Sequence, residues 1–342
     1  MNRPTLSTIV VAHDRREFLR GAVSSVMAQT LPRDRHEIIV VKNYSDSDLD
    51  AWFSQHDVRS LVVQDSRMGA KVAAAVPELR GDVVCLLEDD DRFEPNKLEV
   101  TAQVFGGSDR SVFFHHGFTT VTPEGRRFEA PRLWQKSSPR AGGDPENLRI
   151  SAADLPALWW LSRYHPDFNT SSMAIRRSLL GAYLEYLAKV DLVVDAFLFY
   201  CAMASGEEIA LSARALSVLR VHGASVSLHQ SDGSPEQVRQ LAEYSRRNLP
   251  SVLEIAEMLR STGRAPLVHE GDGLVAAERA LAEIRGERAD RRSMLGLWES
   301  MLRHSDTYAV RSRPELPFIL GAILLTPSGG RWLYRTFKKL GF

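Results

Sequence analysis

Four consecutive carboxylates, Glu88-Asp89-Asp90-Asp91, follow an apolar run of residues. Like charges at this spacing repel one another unless a cation or a set of hydrogen-bond donors compensates them. Mg²⁺ and Mn²⁺ prefer oxygen ligands and usually keep phosphate oxygens among them. The run therefore predicts either a metal site that bridges carboxylate and a substrate diphosphate, or an acidic turn that caps the next helix.

Short apolar runs alternate with helical patterns through the first third of the chain. This alternation predicts an α/β fold with a mainly parallel sheet and right-handed crossovers. Ligands of such sheets bind at the carboxyl ends of the strands. The strands are predicted at 6–12, 38–41, 61–63 and 83–87, with helices at 19–27, at 69–79 and after Pro95. The strand ends carry Ala12-His13-Asp14, Lys42-Asn43-Tyr44 and the acidic run.

The later chain divides into two parts. Residues 131–147 are rich in Pro, Gly, Ser and basic residues, which indicates a long loop or an active-site lid. Further strands are predicted at 172–175 and 215–221, but only helical patterns follow residue 234. We therefore predict an α/β domain over residues 1–230 and a helical C-terminal region over 231–342.

Composition limits the class of protein. The chain has 342 residues, with 43 basic and 43 acidic side chains, so its formal net charge of zero gives no support for a nucleic-acid partner. Its two cysteines, Cys85 and Cys201, lie in apolar runs and indicate a reducing compartment. The N-terminus lacks the apolar core of a signal peptide, and no stretch reaches the length of a spanning helix. We expect a cytoplasmic protein.

The acidic run and the residues after it resemble a known family. Family 2 glycosyltransferases, which have the GT-A fold, carry Asp-x-Asp-Asp after a strand and Pro-x-x-Leu a few residues on. Here the second motif reads Pro95-Asn96-Lys97-Leu98. The resemblance implies that Asp90 is a direct metal ligand and that Asp89 lies beside the ribose, while Glu88 replaces the usual first Asp.

Further segments resemble the donor side of that family. Residues 9–14 occupy the place of a segment that lines the base pocket, and 67–74 occupy that of an Asn-x-Gly-x-x-x-Ala-Arg run, with Ala74 instead of Arg. Lys42 stands where the family commonly has an Asp that pairs with uracil. In place of the family's Arg, Arg67 and Lys71 would supply the positive charge that faces a diphosphate, or alternatively they lie on a solvated helix face. The donor-binding residues implied are Ala12, His13, Asp14, Asn43, Arg67, Lys71, Glu88 and Asp89.

The acceptor side is implied by two more segments. Val194-Asp195 lies at the family's Glu-Asp position, so Asp195 would be the catalytic base, or alternatively only a helix cap. Residues 219–222 resemble a Tyr-Arg-x-His segment whose His completes the metal shell, so His222 would be a second metal ligand, or alternatively a core residue. The pair His115-His116, which follows an apolar strand without a matching motif, is interpreted as structural.

Together these segments predict an inverting glycosyltransferase. It would use Mn²⁺ or Mg²⁺ to move a sugar from a nucleoside-diphosphate sugar to a hydroxyl of a sugar, lipid or protein acceptor. One alternative is a sugar nucleotidyltransferase, although residues 12–16 lack the glycines that hold a triphosphate. The other is a catalytically silent nucleotide-sugar-binding or scaffold protein, for which the departures at Lys42, Ala74 and Val194 leave room.

The end of the chain combines apolar, aromatic and basic residues over 314–342. This composition predicts a helix that lies in a membrane interface beside anionic lipid. The alternatives are a terminal helix packed on the protein and an oligomer contact.

Overall fold

The computed structural model describes residues 6–13, 16–128, 148–153, 164–222, 235–285 and 291–326. These residues form two compact units, one up to His222 and one from residue 235 onward. The predicted loop at 131–147, the domain boundary near residue 230 and Asp14 lie outside the described residues. The boundary therefore stays a prediction.

The first unit is built on one mixed sheet with the strand order β3-β2-β1-β4-β9-β6-β10-β5. β3, β2, β1 and β4 run parallel, β9 is antiparallel to both of its neighbours, and β6 and β10 run parallel. The strands are β1 (Leu6–Val11), β2 (His36–Lys42), β3 (Arg59–Val62), β4 (Val83–Glu88), β5 (Arg92–Phe93), β6 (Ser111–Val121), β7 (Arg127–Phe128), β8 (Leu148–Ser151), β9 (Met173–Arg176) and β10 (Glu208–Arg220). The predicted α/β fold with a mainly parallel mixed sheet is confirmed.

Helices of the first unit cover the sheet. All six residues of β1 are buried, as the continuous apolar run predicted for a strand that is covered on both faces. Helix α1 turns Leu19, Ala22, Val23 and Val26 inward, which is the predicted apolar stripe. The helices are α1 (Arg16–Met27), α2 (Ser47–Gln55), α3 (Met68–Ala75), α4 (Lys97–Gly106), α5 (Arg177–Gly181), α6 (Leu184–Leu187) and α7 (Val194–Ser205).

The second unit is helical in its described part, as predicted. Its helices are α8 (Pro235–Ser261), α9 (Ala265–Arg285), α10 (Arg291–Arg303), α11 (Tyr308–Arg311) and α12 (Glu315–Leu325). The buried Glu270 carboxylate accepts the backbone N–H groups of Tyr308 and Ala309, each at 2.8 Å, and so satisfies the first donors of α11. Among the described helices, none has the length and apolar character needed to cross a membrane.

A close backbone contact at Gly69 joins α3 to the segment that leads into α7. Its N–H donates to the carbonyl oxygen of Val190 at 2.9 Å. A Cβ atom at Gly69 would lie 2.1 Å from the carbonyl oxygen of Leu187 and 2.5 Å from that of Val190. Only glycine allows this approach, so residue 69 sets the distance between α3 and the start of α7.

We expect Gly69→Ala to lower the free energy of unfolding by about 1–3 kcal/mol or more, since two backbone carbonyls have to move. The matched control is Gly21→Ala in α1, where an added Cβ meets nothing within 4 Å. Alanine there should be neutral or stabilising by about 0.5–1 kcal/mol. Thermal unfolding of both variants measures the difference, and equal midpoints would contradict the proposed contact.

Candidate active site

Strand ends and helix α3 bring the predicted donor-side residues together. The buried Lys71 ammonium donates to the carbonyl oxygen of Ala12 at 2.9 Å and to Asn43 Oδ1 at 3.2 Å, and lies 3.4 Å from His13 Nδ1. The backbone N–H of His13 donates to Asp89 Oδ2 at 2.7 Å. Lys71 therefore joins the ends of β1 and β2 through hydrogen bonds, and Asp89 is hydrogen-bonded to the residue His13 at the end of β1.

Arg67 lies at the edge of this group. Its guanidinium pairs with the Asp65 carboxylate at 2.5 Å, and its side chain is 42% exposed. The hydrogen bonds from Arg67 lower the pKa of Asp65 to about 2, and the same pairing raises the pKa of Arg67. The positive charge predicted for a diphosphate is thus already balanced by an adjacent carboxylate.

Lys42, at the position associated with uracil, is fully buried. Its Nζ donates to Asp50 Oδ2 at 3.0 Å and to the carbonyl oxygen of Tyr44 at 3.1 Å. The Arg16 guanidinium lies 4.2 Å from the centre of the Tyr44 ring. An ion pair between a buried lysine and a partly exposed carboxylate therefore occupies the place where the family commonly has a base-pairing carboxylate.

The acidic run is almost entirely enclosed, because Asp89, Asp90 and Asp91 are 1%, 5% and 1% exposed. Asp90 Oδ2 lies 2.9 Å from His222 Nε2, so the two predicted metal ligands meet. Arg220 donates its backbone N–H to Asp91 Oδ1 at 3.0 Å and its Nε–H to the carbonyl oxygen of Asp90 at 3.1 Å. The end of β10 therefore supplies one donor to the Asp91 carboxylate and another to the backbone carbonyl of Asp90.

Phe18 in α1 packs against both of the residues that β10 brings to the acidic run. Its ring centre lies 4.6 Å from the Arg220 guanidinium and 5.7 Å from the His222 ring. These contacts limit the orientations of the two side chains. The site thus includes an aromatic side chain that no motif indicated.

A buried lysine lies next to the acidic run. The Lys97 ammonium donates to the carbonyl oxygen of Ser171 at 2.6 Å and lies 3.6 Å from the centre of the Phe93 ring. Burial lowers the pKa of Lys97 to about 7, against the opposing effects of Cys85 and Asp91. Burial also raises the pKa of Asp91 well above its ordinary value, helped by the negative charges of Asp90 and Glu88.

No role was predicted for Lys97 or Arg220, although both lie inside motifs, Lys97 in Pro-x-x-Leu and Arg220 before Val221-His222. A lysine with 0% exposure is unusual enough to indicate a specific pairing. The spacing of charges along the sequence does not predict this contact, because Lys97 is distant in sequence from its hydrogen-bond partner Ser171.

The donor set at Asp90 and His222 fits a divalent cation shared with a ligand. One carboxylate oxygen and one imidazole nitrogen converge within 2.9 Å. Within the described ranges, no three His, Cys, Asp or Glu side chains are grouped so that they could hold a metal ion. Mg²⁺ usually keeps substrate phosphates and water among its ligands. A site with two protein ligands therefore suits Mg²⁺ better than it suits a metal that is bound by protein ligands alone.

Asp195 lies in the first turn of α7. Its Oδ1 accepts the N–H of Ala196 at 2.9 Å, and its Oδ2 accepts the N–H of Asn169 at 3.0 Å. Burial nevertheless raises the pKa of Asp195 to about 6, and the negative charge of Asp167 acts in the same direction. The helix terminus, which favours the charged form, is thus outweighed by desolvation. The carboxyl is held as a stronger base than an ordinary Asp.

The helix cap is a different residue from Asp195. The N-cap position of α7 is Val193, which has left-handed backbone angles of φ 55° and ψ 38°. A β-branched residue rarely adopts this conformation. Asp195 is the second helical residue, so the alternative that it serves only as the N-cap does not describe this helix.

The histidine pair lies inside strand β6 and not after a strand, which corrects its predicted place. Ser111–Val121 continues through both histidines because β6 pairs with β9 and β10 along this stretch. Burial lowers the pKa of His115 to about 4, and its Nε2 lies 3.0 Å from the carbonyl oxygen of Phe168. His116 Nδ1 lies 2.8 Å from the carbonyl oxygen of Gly117.

Several known proteins are similar to this chain in sequence. Residues 7–162 match the profile of glycosyl transferase family 2. An uncharacterized glycosyltransferase of Nostoc sp. is 24% identical over 246 residues, which are 68% of this chain and 69% of the relative. An uncharacterized protein of Sinorhizobium fredii is 36% identical over 94 residues, which are 25% of this chain and 10% of that protein.

Solved structures of similar fold include TarS 1–349 of S. aureus. Its complex with UDP has a TM-score of 0.51 at 12% identity and covers 94% of this chain and 92% of that chain. Its complex with UDP-GlcNAc has a TM-score of 0.51 at 14% identity, with 92% and 90% covered. The fold likeness and the family match confirm the predicted GT-A-type domain with a helical C-terminal region and the predicted glycosyltransferase.

The raised pKa of Asp195 predicts a pH-dependent effect on stability. The folded-state value of about 6 exceeds the 3.8 of an ordinary Asp. The native state therefore loses stability as the pH rises between these two values, and it stays at the lower level above them. Asp195→Asn removes this penalty, so its stability relative to the wild type should improve by roughly 2 kcal/mol from about pH 4.5 to about pH 8.

The measurement is the midpoint of thermal unfolding of both proteins at the two pH values. Asp48→Asn is the control, because Asp48 lies in the first turn of α2 but is exposed. If the difference in midpoint between Asp195→Asn and the wild type does not change with pH, burial does not raise the pKa of this carboxyl.

Proposed function

Since the chain carries a glycosyltransferase family 2 domain, we propose that it moves a sugar from a nucleoside-diphosphate sugar to an acceptor hydroxyl with inversion at the anomeric carbon. One observation supports this most. The turn at residues 169–172 bonds to both Glu88 of the acidic run and Asp195, through Thr170 and Asn169 respectively. This shared turn supports the proposal that Glu88 contacts the donor and that Asp195 is the base of the same reaction.

Asp195 is proposed as the base of the transfer. Its carboxylate takes the proton of the acceptor hydroxyl, and the freed oxygen electron pair forms a bond to the anomeric carbon. The bond from that carbon to the diphosphate oxygen breaks, and its electron pair leaves with the nucleoside diphosphate. Attack from the face opposite the leaving group inverts the configuration. A pKa of about 6 leaves the carboxylate ionised at neutral pH yet more basic than an exposed Asp.

Asp90 and His222 would hold Mn²⁺ or Mg²⁺. When bound, such an ion supplies positive charge to a departing diphosphate. The protein's own part is to keep the two ligands in place: Arg220 donates to the Asp90 carbonyl, and Phe18 packs on the His222 ring. Lys71 keeps the ends of β1 and β2 together, so its contribution to the donor is to shape the crevice.

UDP-GlcNAc is the first donor to test, because the TarS structure of similar fold was solved with it. The ion pair between the buried Lys42 and the partly exposed Asp50 argues for testing other bases beside uracil, since position 42 offers no carboxylate. The acceptor is left at the level of a hydroxyl on a sugar, a lipid or a protein. Asp14, predicted to bind the donor, lies outside the described residues.

Asp195→Asn should lower transfer or donor hydrolysis about 10²–10⁴-fold, as expected for loss of a general base. Binding of UDP or GDP with MnCl₂, measured as a thermal shift, should be kept, because Asp195 is not placed on the diphosphate. A ligand at about 100 times its Kd adds about 2.7 kcal/mol to stability, which such a shift detects. Asp48→Asn should match the wild type in both measurements.

Near-normal turnover by Asp195→Asn would remove this residue as the base. Nucleotide binding by a wild type that neither transfers nor hydrolyses any donor would favour the silent binding or scaffold protein. Formation of a nucleotide-sugar from a nucleoside triphosphate and a sugar phosphate would indicate the nucleotidyltransferase instead.

Membrane contact through residues 314–342 is proposed as a second property. In α12, Phe318 is 75% and Leu325 is 80% exposed, and their seven-residue spacing places them on one helix face. Four basic residues follow between 331 and 339, outside the described part of the chain. Exposed apolar side chains beside basic residues suit an interface with anionic lipid.

Phe318→Ser combined with Leu325→Ser should reduce sedimentation with phosphatidylglycerol vesicles several-fold, since the lost contact is an apolar one. Both side chains are exposed, so the fold should be unaffected. Val62→Ser, at an exposed apolar residue of the first unit, is the control. Unchanged sedimentation of the double variant, or of a chain that ends before residue 314, would contradict the membrane proposal.

A further inference from the structure

The turn formed by residues 169–172 bonds to carboxylates on two sides of the site. The N–H of Asn169 donates to Asp195 Oδ2 at 3.0 Å. The hydroxyl of Thr170 donates to Glu88 Oε1 at 2.7 Å. Two carboxylates that belong to β4 and α7 are therefore bonded to adjacent residues of one turn.

The turn itself is held by polar contacts. Asn169 has φ 69°, and its side chain accepts the N–H of Ser171 at 3.1 Å and donates to Ser172 Oγ at 2.9 Å. Lys97 donates to the carbonyl oxygen of Ser171 at 2.6 Å. The four residues of the turn are at most 5% exposed. Because the turn is buried and hydrogen-bonded in this way, it can hold the side chains that it contacts in fixed positions.

Glu88 is the carboxylate that most needs such a support. It stands where the family usually has an Asp and carries one more methylene, hence one more rotatable bond. Its backbone N–H is fixed by Ser171 Oγ at 3.1 Å, but its carboxylate lies at the end of a longer side chain that is only partly buried. A donated hydrogen bond at Oε1 selects one orientation of that side chain.

We propose that Thr170 is a positioning residue for the donor, which acts by orienting Glu88 through its hydroxyl. The Thr170 hydroxyl donates to Glu88 Oε1, so its influence on the donor is exerted through that carboxylate. Glu88, hydrogen-bonded to the Thr170 hydroxyl, thereby takes the place of the shorter Asp. This inference rests on the proposed function, because Glu88 is taken to contact the nucleotide-sugar.

Thr170→Val removes the hydroxyl and keeps the shape of the side chain. The KM for UDP-GlcNAc, or the dissociation constant of UDP with MnCl₂, should rise about tenfold or more, as expected for a lost hydrogen bond to a charged group. The KM for the acceptor should stay at its wild-type value. Thr170→Ser keeps the hydroxyl and should restore donor binding, which a purely structural role of Thr170 would not predict.

Thr101→Val is the matched control. Thr101 is also fully buried, and its hydroxyl donates at 2.9 Å, but to the carbonyl oxygen of Lys97 in the preceding helical turn. The variant makes the same chemical change without touching a carboxylate of the site. Its donor KM should equal that of the wild type.

A double-mutant cycle with Glu88→Gln tests the link directly. If Thr170 acts through Glu88, Thr170→Val should add little to the effect of Glu88→Gln, and additive effects would overturn the proposal. So would a wild-type donor KM in Thr170→Val, or an equal rise in Thr101→Val. If Thr170→Val does not fold, Glu88→Gln decides alone, and an unchanged donor KM there overturns the proposal. Failure of the proposed function looks different, because the wild type would then neither bind UDP nor use any donor.

Discussion

The enclosure of three adjacent carboxylates is the constraint on which the rest of the first unit depends. Asp89, Asp90 and Asp91 are removed from water, and an ionised group in such a place is strongly disfavoured without partners. These partners come from two strand ends: the N–H of His13 from the end of β1, and Arg220 and His222 from the end of β10. The strand order of the sheet can thus be seen as the arrangement that brings these donors to one place.

Two contacts link the acidic run and helix α3 to the part of the chain that holds Asp195. The turn at residues 169–172 bonds to both Glu88 and Asp195, and Gly69 lets α3 approach the backbone at Leu187 and Val190. The proposed donor-binding residues and the proposed base are therefore linked through hydrogen bonds and backbone packing. A displacement at either contact would shift the neighbouring side chains, since packed interiors transmit strain.

The elements with strong local signals were predictable from the sequence. The apolar stripe of α1 and the buried strand β1 follow from periodicity and side-chain type, which depend on neighbouring residues only. The meeting of Asp90 with His222 was predicted from the order of the motifs, although 132 positions separate them. The places of Lys97 and of the histidine pair were not predictable in this way. A buried lysine and a strand that continues through two histidines are decided by distant pairings, which leave no local pattern.

Val193 introduces backbone strain at the start of α7. A valine at φ 55° holds a conformation that costs about 1–2 kcal/mol relative to a right-handed one. Any rearrangement that unwinds the first helical turn releases this strain, so that turn opens at lower free energy than the rest of the helix. Asp195 would move with it and meet water while the sheet stays folded. Contact with water would remove the desolvation that raises the pKa of Asp195, so opening of this turn would weaken the carboxylate as a base.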